Sequence, residues 1–158
     1  MQKLLRKLKK LYQKLTNYGL LRNKTDWDCG SIALYNLMKI LGRPITYEQS
    51  IELPSTQKDV GCLLKDFRET LFTLGINYVA TSKDVAKAFI DIRRWSGKPV
   101  VFVIAYENKF LDRHMLLYYN NGKEEFLIND RNKVLRPATA KRLRFLIDKS
   151  LSILMVDV

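Results

Sequence analysis

The sequence predicts an α+β domain, with helices first along the chain and a mostly antiparallel sheet after them. In the first half, apolar residues recur at spacings of three and four, which is the helical period. In the second half, short continuous or alternating apolar runs replace that period. A chain of 158 residues, 47% of them hydrophobic, can bury one core without a metal or a disulfide. We therefore expect one layer of helices packed on one side of a sheet.

The N-terminal segment, residues 2–18, predicts a basic amphipathic helix that ends at Gly19. Its apolar stripe consists of Leu4, Leu8, Leu11, Tyr12 and Leu15. This stripe could lie in a membrane interface, but docking on the rest of the protein is the favoured interpretation. We divide the chain into this helix, residues 1–20, and a main domain, residues 21–158.

The main domain begins with a polar loop at 22–28, in which Asp26 or Asp28 can cap the next helix. The helix at 29–41 is the most apolar and is expected to be the buried central one. Asn121-Gly122 is the expected turn of a hairpin. The remaining helices are predicted at 46–52, 59–74 and 84–94, and the strands at 76–80, 99–105, 114–119, 125–129 and 150–157.

The net charge of +12 is confined to two segments. Residues 2–14 hold six basic residues and no acid, and residues 131–149 hold seven basic residues against Asp148. Such a concentration points to a polyanionic partner, either nucleic acid or an anionic membrane, although it could also serve solubility alone. The candidate polyanion-binding residues are Lys3, Arg6, Lys7, Lys9, Lys10, Lys14, Lys141, Arg142 and Arg144.

Several classes are excluded by simple counts. Two cysteines are too few for a disulfide-rich secreted scaffold or a four-cysteine zinc site, and a single histidine argues against an imidazole metal centre. No apolar run approaches the roughly 20 residues of a membrane span, and the N-terminus lacks a signal-peptide core. We expect no metal or cofactor, a reducing compartment, and a cytoplasmic or virion-associated protein.

Three residues suggest nucleophilic chemistry. Cys29 begins the most apolar helix, where free backbone amides favour the reactive thiolate. His114, the only histidine, begins a strand and could act as its base. Asp130 ends the next strand, nearly opposite His114 across the hairpin, and could orient the imidazole. Taken singly, Cys29 could be a small core residue and Asp130 a turn residue.

The order Cys, His, Asp and the run Asp28-Cys29-Gly30-Ser31-Ile32-Ala33-Leu34 resemble the double-glycine leader peptidases, a papain-like family known from bacteriocin-exporting transporters. The resemblance covers about residues 22–158. Shorter matching runs lie at 59–61, 98–101, 114–119 and 126–130.

This resemblance implies Cys29 as nucleophile, His114 as general base and acid, and Asp130 as the orienting acid. It also implies an oxyanion hole made by the Cys29 backbone and by residue 23. That residue is Asn23 here, where the family has glutamine, so its amide is one methylene shorter. Arg131 stands where the family often has proline, and we expect it to affect only a loop. No transporter span follows, so we expect a stand-alone form.

We therefore interpret the sequence as a cysteine peptidase that cleaves after small residues, with a role in protein maturation. The alternatives are a degenerate peptidase fold with a structural role, and a nucleic-acid-binding or membrane-binding protein. Cys62 is expected to be a buried packing residue without a catalytic role.

Overall fold

The computed structural model describes residues 1–16, 19–107 and 113–158, and the side chains there except those of residues 10–16. Within these ranges the chain forms six helices and six strands. They are α1 (Gln2–Thr16), α2 (Cys29–Ile40), α3 (Tyr47–Glu52), α4 (Leu64–Thr73), β1 (Tyr78–Ala80), α5 (Lys83–Ser96), β2 (Val100–Glu107), β3 (Arg113–Asn120), β4 (Glu125–Asp130), β5 (Lys133–Pro137), α6 (Ala140–Asp148) and β6 (Ser150–Asp157).

The strands form one sheet in the order β1-β6-β2-β3-β4-β5, and every neighbouring pair is antiparallel. The α+β fold class predicted from the sequence is confirmed. The prediction that helices cover one side only was wrong. Val101 and Val103 of β2 pack with α2 and α4, whereas Phe102 and Ile104 pack with α5 and α6. Helices on both faces explain why β2 is apolar at every position from Val100 to Tyr106 rather than at alternate ones.

The basic segment 131–149 contains two elements that the sequence analysis missed. It forms β5 and then α6, whose buried residues Leu143, Leu146 and Ile147 recur at helical spacing. Thr139 caps α6 by accepting a hydrogen bond from the Arg142 backbone, at 3.3 Å. This helical signal was present in the sequence, but the density of charge obscured it.

The helix predicted at 59–74 is shorter and begins at Leu64. Gly61 takes a left-handed φ of +76°, and a Cβ there would lie 3.0 Å from the Trp27 carbonyl oxygen. Gln57 and Gly61 pair through their backbones, so the chain turns sharply before α4. Residues 58–63 therefore form a wall beside the start of α2.

Helix α1 does not bury the apolar residues of its described turns. Leu4, Leu5 and Leu8 are 61%, 60% and 49% exposed, so the expectation that the stripe docks on the domain fails for these turns. Leu11, Tyr12 and Leu15 lie outside the described side chains, as do Lys10 and Lys14. In the part of the chain that the structure describes, no helix combines the length and the apolar character needed to cross a bilayer.

Candidate active site

Cys29 and His114 line the same groove, with a volume of about 340 Å³. Cys29 is the first residue of α2, and His114 is the second residue of β3. Residues 58–64 form one wall, and Ala105, Met115 and Leu151 lie at the sheet side. The structure thus brings the predicted nucleophile and the predicted base to one cleft, although they are far apart in sequence.

Asp28 fixes the loop that delivers Cys29. Its fully buried carboxylate accepts hydrogen bonds from the Lys24 backbone at 3.1 Å and the Thr25 backbone at 3.2 Å, and from the Tyr47 hydroxyl at 2.8 Å. It precedes α2 at the N-cap position, but its side chain makes no capping bond to the helix. The Asp28 side chain therefore stabilises the loop 24–28 instead of capping α2, as we had expected it to do.

The imidazole of His114 is held by a backbone group. Its Nε2 donates a hydrogen bond to the Asn129 carbonyl oxygen at 2.6 Å. Because a carbonyl only accepts, Nε2 carries the hydrogen, and in the neutral ring Nδ1 is the basic nitrogen. The orienting role expected for the Asp130 carboxylate is thus taken here by the preceding peptide carbonyl.

Asp130 is fully buried and faces arginines instead of the imidazole nitrogen. Arg142 donates to its two oxygens at 2.7 and 3.0 Å, and Arg136 lies 3.5 Å away. Only 11% of the Arg142 side chain is exposed, so Arg142 does not belong to the polyanion-binding surface on which we placed it. Lys141 and Arg144, on the same helix, are exposed.

The backbone at Asn129 explains this difference. Its φ is +63°, and the ladder between β3 and β4 ends at the pair Leu117–Ile128. The usual alternation of side chains breaks at this residue, so the side chain of Asn129 turns toward Asn23 and that of Asp130 turns toward α6. Asparagine tolerates this left-handed conformation better than most residues.

Asn23 is tied to Asn129 by two hydrogen bonds. The Asn23 backbone donates to Asn129 Oδ1 at 2.8 Å, and Asn129 Nδ2 donates to Asn23 Oδ1 at 2.6 Å. The groove-lining residues include neither Asn23 nor Asp130. The side-chain oxygen of Asn23 is therefore engaged, and its amide NH₂ is the group that remains to donate. Sequence reasoning assigned no role to the Asn129 side chain.

Burial dominates the protonation of both reactive groups. It raises the pKa of the Cys29 thiol, and the backbone amides of Met115 and Gly30 only partly offset it. Burial also lowers the pKa of His114, against the opposing effects of the Asn129 carbonyl and Asp130. Both shifts favour the uncharged form of each group, the neutral thiol and the neutral imidazole. The amides at the helix start, which we expected to favour the thiolate, are outweighed by burial.

Cys62 lies beside the start of α2. It is half-buried and lines the groove, so its expected full burial is corrected, and both cysteines are free thiols. Burial raises the pKa of Cys62 to about 12. A Cβ at Gly30 would lie 2.5 Å from the Cys62 Cβ, so the absence of a side chain at Gly30 is what allows this packing.

Gly30→Ala is expected to destabilise the protein by about 1–3 kcal/mol, as overpacking does in a tight core. At an exposed helical position the same change would stabilise by up to about 1 kcal/mol. Urea unfolding followed by circular dichroism measures the difference. Cys62→Gly in the Gly30→Ala background removes the clashing atom and should recover stability, whereas no recovery would contradict this packing.

The fold has a counterpart among solved structures. The peptidase domain of Streptococcus ComA, described as a bi-functional ABC transporter involved in a quorum-sensing pathway, matches with a TM-score of 0.64 and 17% identity. The match covers 88% of this chain and 98% of that domain. No profile of a known protein family matches the sequence, and no curated protein is significantly similar to it. The chain therefore has the papain-like α+β fold of that peptidase domain, as the sequence motif around Cys29 predicted.

Proposed function

We propose that this protein is a cysteine peptidase with Cys29 as nucleophile and His114 as general base and acid. The observation that carries the proposal is the shared groove, which places a thiol at a helix start and the single histidine on the same walls. The fold match to a peptidase domain supports it. Asp130 acts indirectly, because the Asn129 carbonyl next to it in the chain, and not its own carboxylate, contacts the imidazole.

The uncharged thiol and imidazole that burial favours define the order of events in this proposal. When a peptide binds, Nδ1 of His114 accepts the thiol proton and the Cys29 sulfur attacks the peptide carbonyl carbon. His114 then returns that proton to the leaving amine, and water hydrolyses the thioester to release the acid and regenerate the thiol. A proton transfer coupled to attack needs no stable thiolate beforehand, which is consistent with the direction of both pKa shifts.

The developing oxyanion needs hydrogen-bond donors. The backbone N–H of Cys29 lies at the first position of α2, outside the helical ladder, and is the first donor we assign. The Asn23 amide is the second. Its pairing with Asn129 supports this assignment, because the bound Oδ1 leaves the NH₂ group to donate.

The substrate is a peptide or protein cleaved after small residues, in keeping with the resemblance of the Cys29 motif to double-glycine leader peptidases, and maturation of a partner protein is the role we assign. The direct test is a set of peptides with Gly-Gly before a single cleavable bond, read by mass spectrometry. Cleavage after Gly-Gly supports the proposal. The degenerate-fold alternative gains support if no peptide is cut and Cys29 alkylates no faster than Cys62.

We further propose that helix α1 binds an anionic membrane surface. Its described turns carry Lys3, Arg6, Lys7 and Lys9 beside the exposed leucines, with no acidic residue in the first turn. Phosphate contacts to DNA would use the basic residues alone, whereas a lipid interface uses both the charge and the leucines. This combination favours a membrane over the nucleic acid that the charge pattern also allowed.

Vesicles with and without anionic lipid test this surface by co-sedimentation. We expect binding to anionic vesicles that weakens with salt, and Leu4→Ser with Leu8→Ser should weaken it about tenfold or more, because about 0.8 kcal/mol is lost per buried CH₂. Lys123→Ser, in an exposed turn, is the control. Equal binding of wild type and the double variant, or preference for duplex DNA, would contradict a membrane role.

A further inference from the structure

We propose that Arg142 is a positioning residue of the active site. It neutralises the buried Asp130 carboxylate and holds the Tyr106 ring against the edge of His114, and so keeps the imidazole aligned with the Asn129 carbonyl. The inference deepens the proposed function and rests on it for its kinetic consequences, but not for its effect on the imidazole itself.

The contacts form one continuous path from α6 to the imidazole. Arg142 Nη2 and Nε bond the two oxygens of Asp130 at 2.7 and 3.0 Å, and Nη2 also lies 3.3 Å from the Tyr106 hydroxyl. The Tyr106 ring in turn meets the His114 ring edge to face, with centroids 5.8 Å apart and planes at 85°. One guanidinium therefore fixes two neighbours of the histidine at once.

The geometry at Asp130 makes this path necessary. A fully buried carboxylate without a paired cation is costly, and it would pull the imidazole away from Asn129. The rigid fork of arginine satisfies two acceptor atoms in one plane, which lysine does not. Arg136 approaches the same carboxylate at 3.5 Å from a more exposed position, so it supplements Arg142 without replacing the fork.

The charges that face His114 predict the direction in which its pKa should change when the Arg142 charge is removed. Asp130 on β4 and Arg142 on α6 act on the ring in opposite directions, while Tyr106 on β2 and Cys29 on α2 are uncharged at neutral pH. Asp26, Lys58, Asp59 and Arg113 line the same groove. Removing the Arg142 charge takes away a cation that repels the imidazolium and leaves the negative charge of Asp130 less neutralised. Both effects favour the imidazolium.

The experiment follows the ring protons of the single histidine by NMR across a pH titration, together with the pH profile of kcat/KM. We expect Arg142→Gln to raise the pKa of His114 by on the order of 0.5–1 unit and to lower kcat by tenfold or more, with KM little changed. Arg142→Lys keeps the charge and should keep the pKa, but it should not restore kcat. Tyr106→Phe, which removes only the hydroxyl, should lower kcat about threefold to tenfold.

The matched control is Arg93→Gln, because Arg93 also pairs with a carboxylate, Asp157 at 3.0 Å, and is only 18% exposed. This control should leave the pKa of His114 unchanged. If Arg142→Gln does not fold, Arg142→Lys and Tyr106→Phe carry the test, and wild-type kcat in both overturns the proposal. It is also overturned if Arg142→Gln behaves as Arg93→Gln does while peptides are still cleaved. A shifted pKa without any peptide cleavage supports the positioning role and refutes the peptidase function alone.

Discussion

Replacing Cys29 with alanine is expected to abolish peptide cleavage, with a loss of at least about 10⁴-fold, because the Cys29 thiol is the group that we assign to form the acyl intermediate. The fold should survive. The thiol is half-buried, and alanine keeps the Cβ that packs at the start of α2. Single-turnover cleavage assays and thermal unfolding measure the two effects separately.

Cys62→Ala is the control that separates loss of the Cys29 thiol from loss of any thiol in the groove. Cys62 lines the same groove, but burial raises its thiol pKa to about 12 and the proposed mechanism gives it no role, so this variant should retain most of the activity. In wild-type protein, alkylation should label Cys29 before Cys62, and His114→Ala should remove that preference. Equal losses in the two alanine variants would mean that the groove, not the Cys29 thiol, is what cleavage requires.

The positions of Cys29 and His114 at element ends could be predicted from the sequence because each depends on local signals. Cys29 follows a polar loop and opens an apolar helix, and His114 opens a strand after another loop, so both were expected at element ends. Element ends are where a fold exposes side chains to a cleft. The meeting of these two element ends in one groove depends on tertiary structure, and the sequence suggested it only through the resemblance to a family.

The orienting contact could not be predicted in the same way. It depends on a single backbone angle at Asn129, which exchanges the directions of two neighbouring side chains. The hairpin register across Asn121-Gly122 placed Asp130 opposite the histidine, and no sequence pattern reveals a left-handed residue inside a strand. Asp130 instead pairs with Arg142 on α6, a helix that the sequence analysis missed because of its dense charge. Asp130→Ala would leave the Arg142 guanidinium without this carboxylate, so it would lower stability as well as activity.

Arg131 illustrates how a departure from a family pattern can be a change of local structure. With Asn132 it forms the turn between β4 and β5, and their φ angles are +49° and +59°. These are the angles of a type I′ hairpin, which proline cannot adopt because its ring holds φ near −65°. Arg131 therefore permits the tight turn that brings β5 beside β4. The expectation that it affects only a loop understated this role.

His114→Ala is expected to lower kcat/KM by roughly 10³–10⁴-fold, because burial favours the neutral Cys29 thiol and a neutral thiol needs a base in order to attack. The wild-type pH profile should carry the signature of this base. Burial lowers the pKa of His114 below its ordinary value of 6.5, so the acid limb of kcat/KM should fall below pH 6.5, and the protein should stay active in mildly acidic solution. Rates measured between pH 4 and 8 on one Gly-Gly peptide give this limb.

The lowered pKa of His114 also predicts how folding stability changes with pH. Between the pKa of His114 in the folded protein and 6.5, the unfolded chain binds more protons, so stability must rise with pH across that window. His114→Gln removes the titrating group and should flatten the rise.

An acid limb of kcat/KM above pH 6.5, or a thiolate absorbance near 240 nm at neutral pH that disappears in Cys29→Ala, would show instead that the resting enzyme holds an ion pair. The catalytic sequence would then begin with attack rather than with proton transfer.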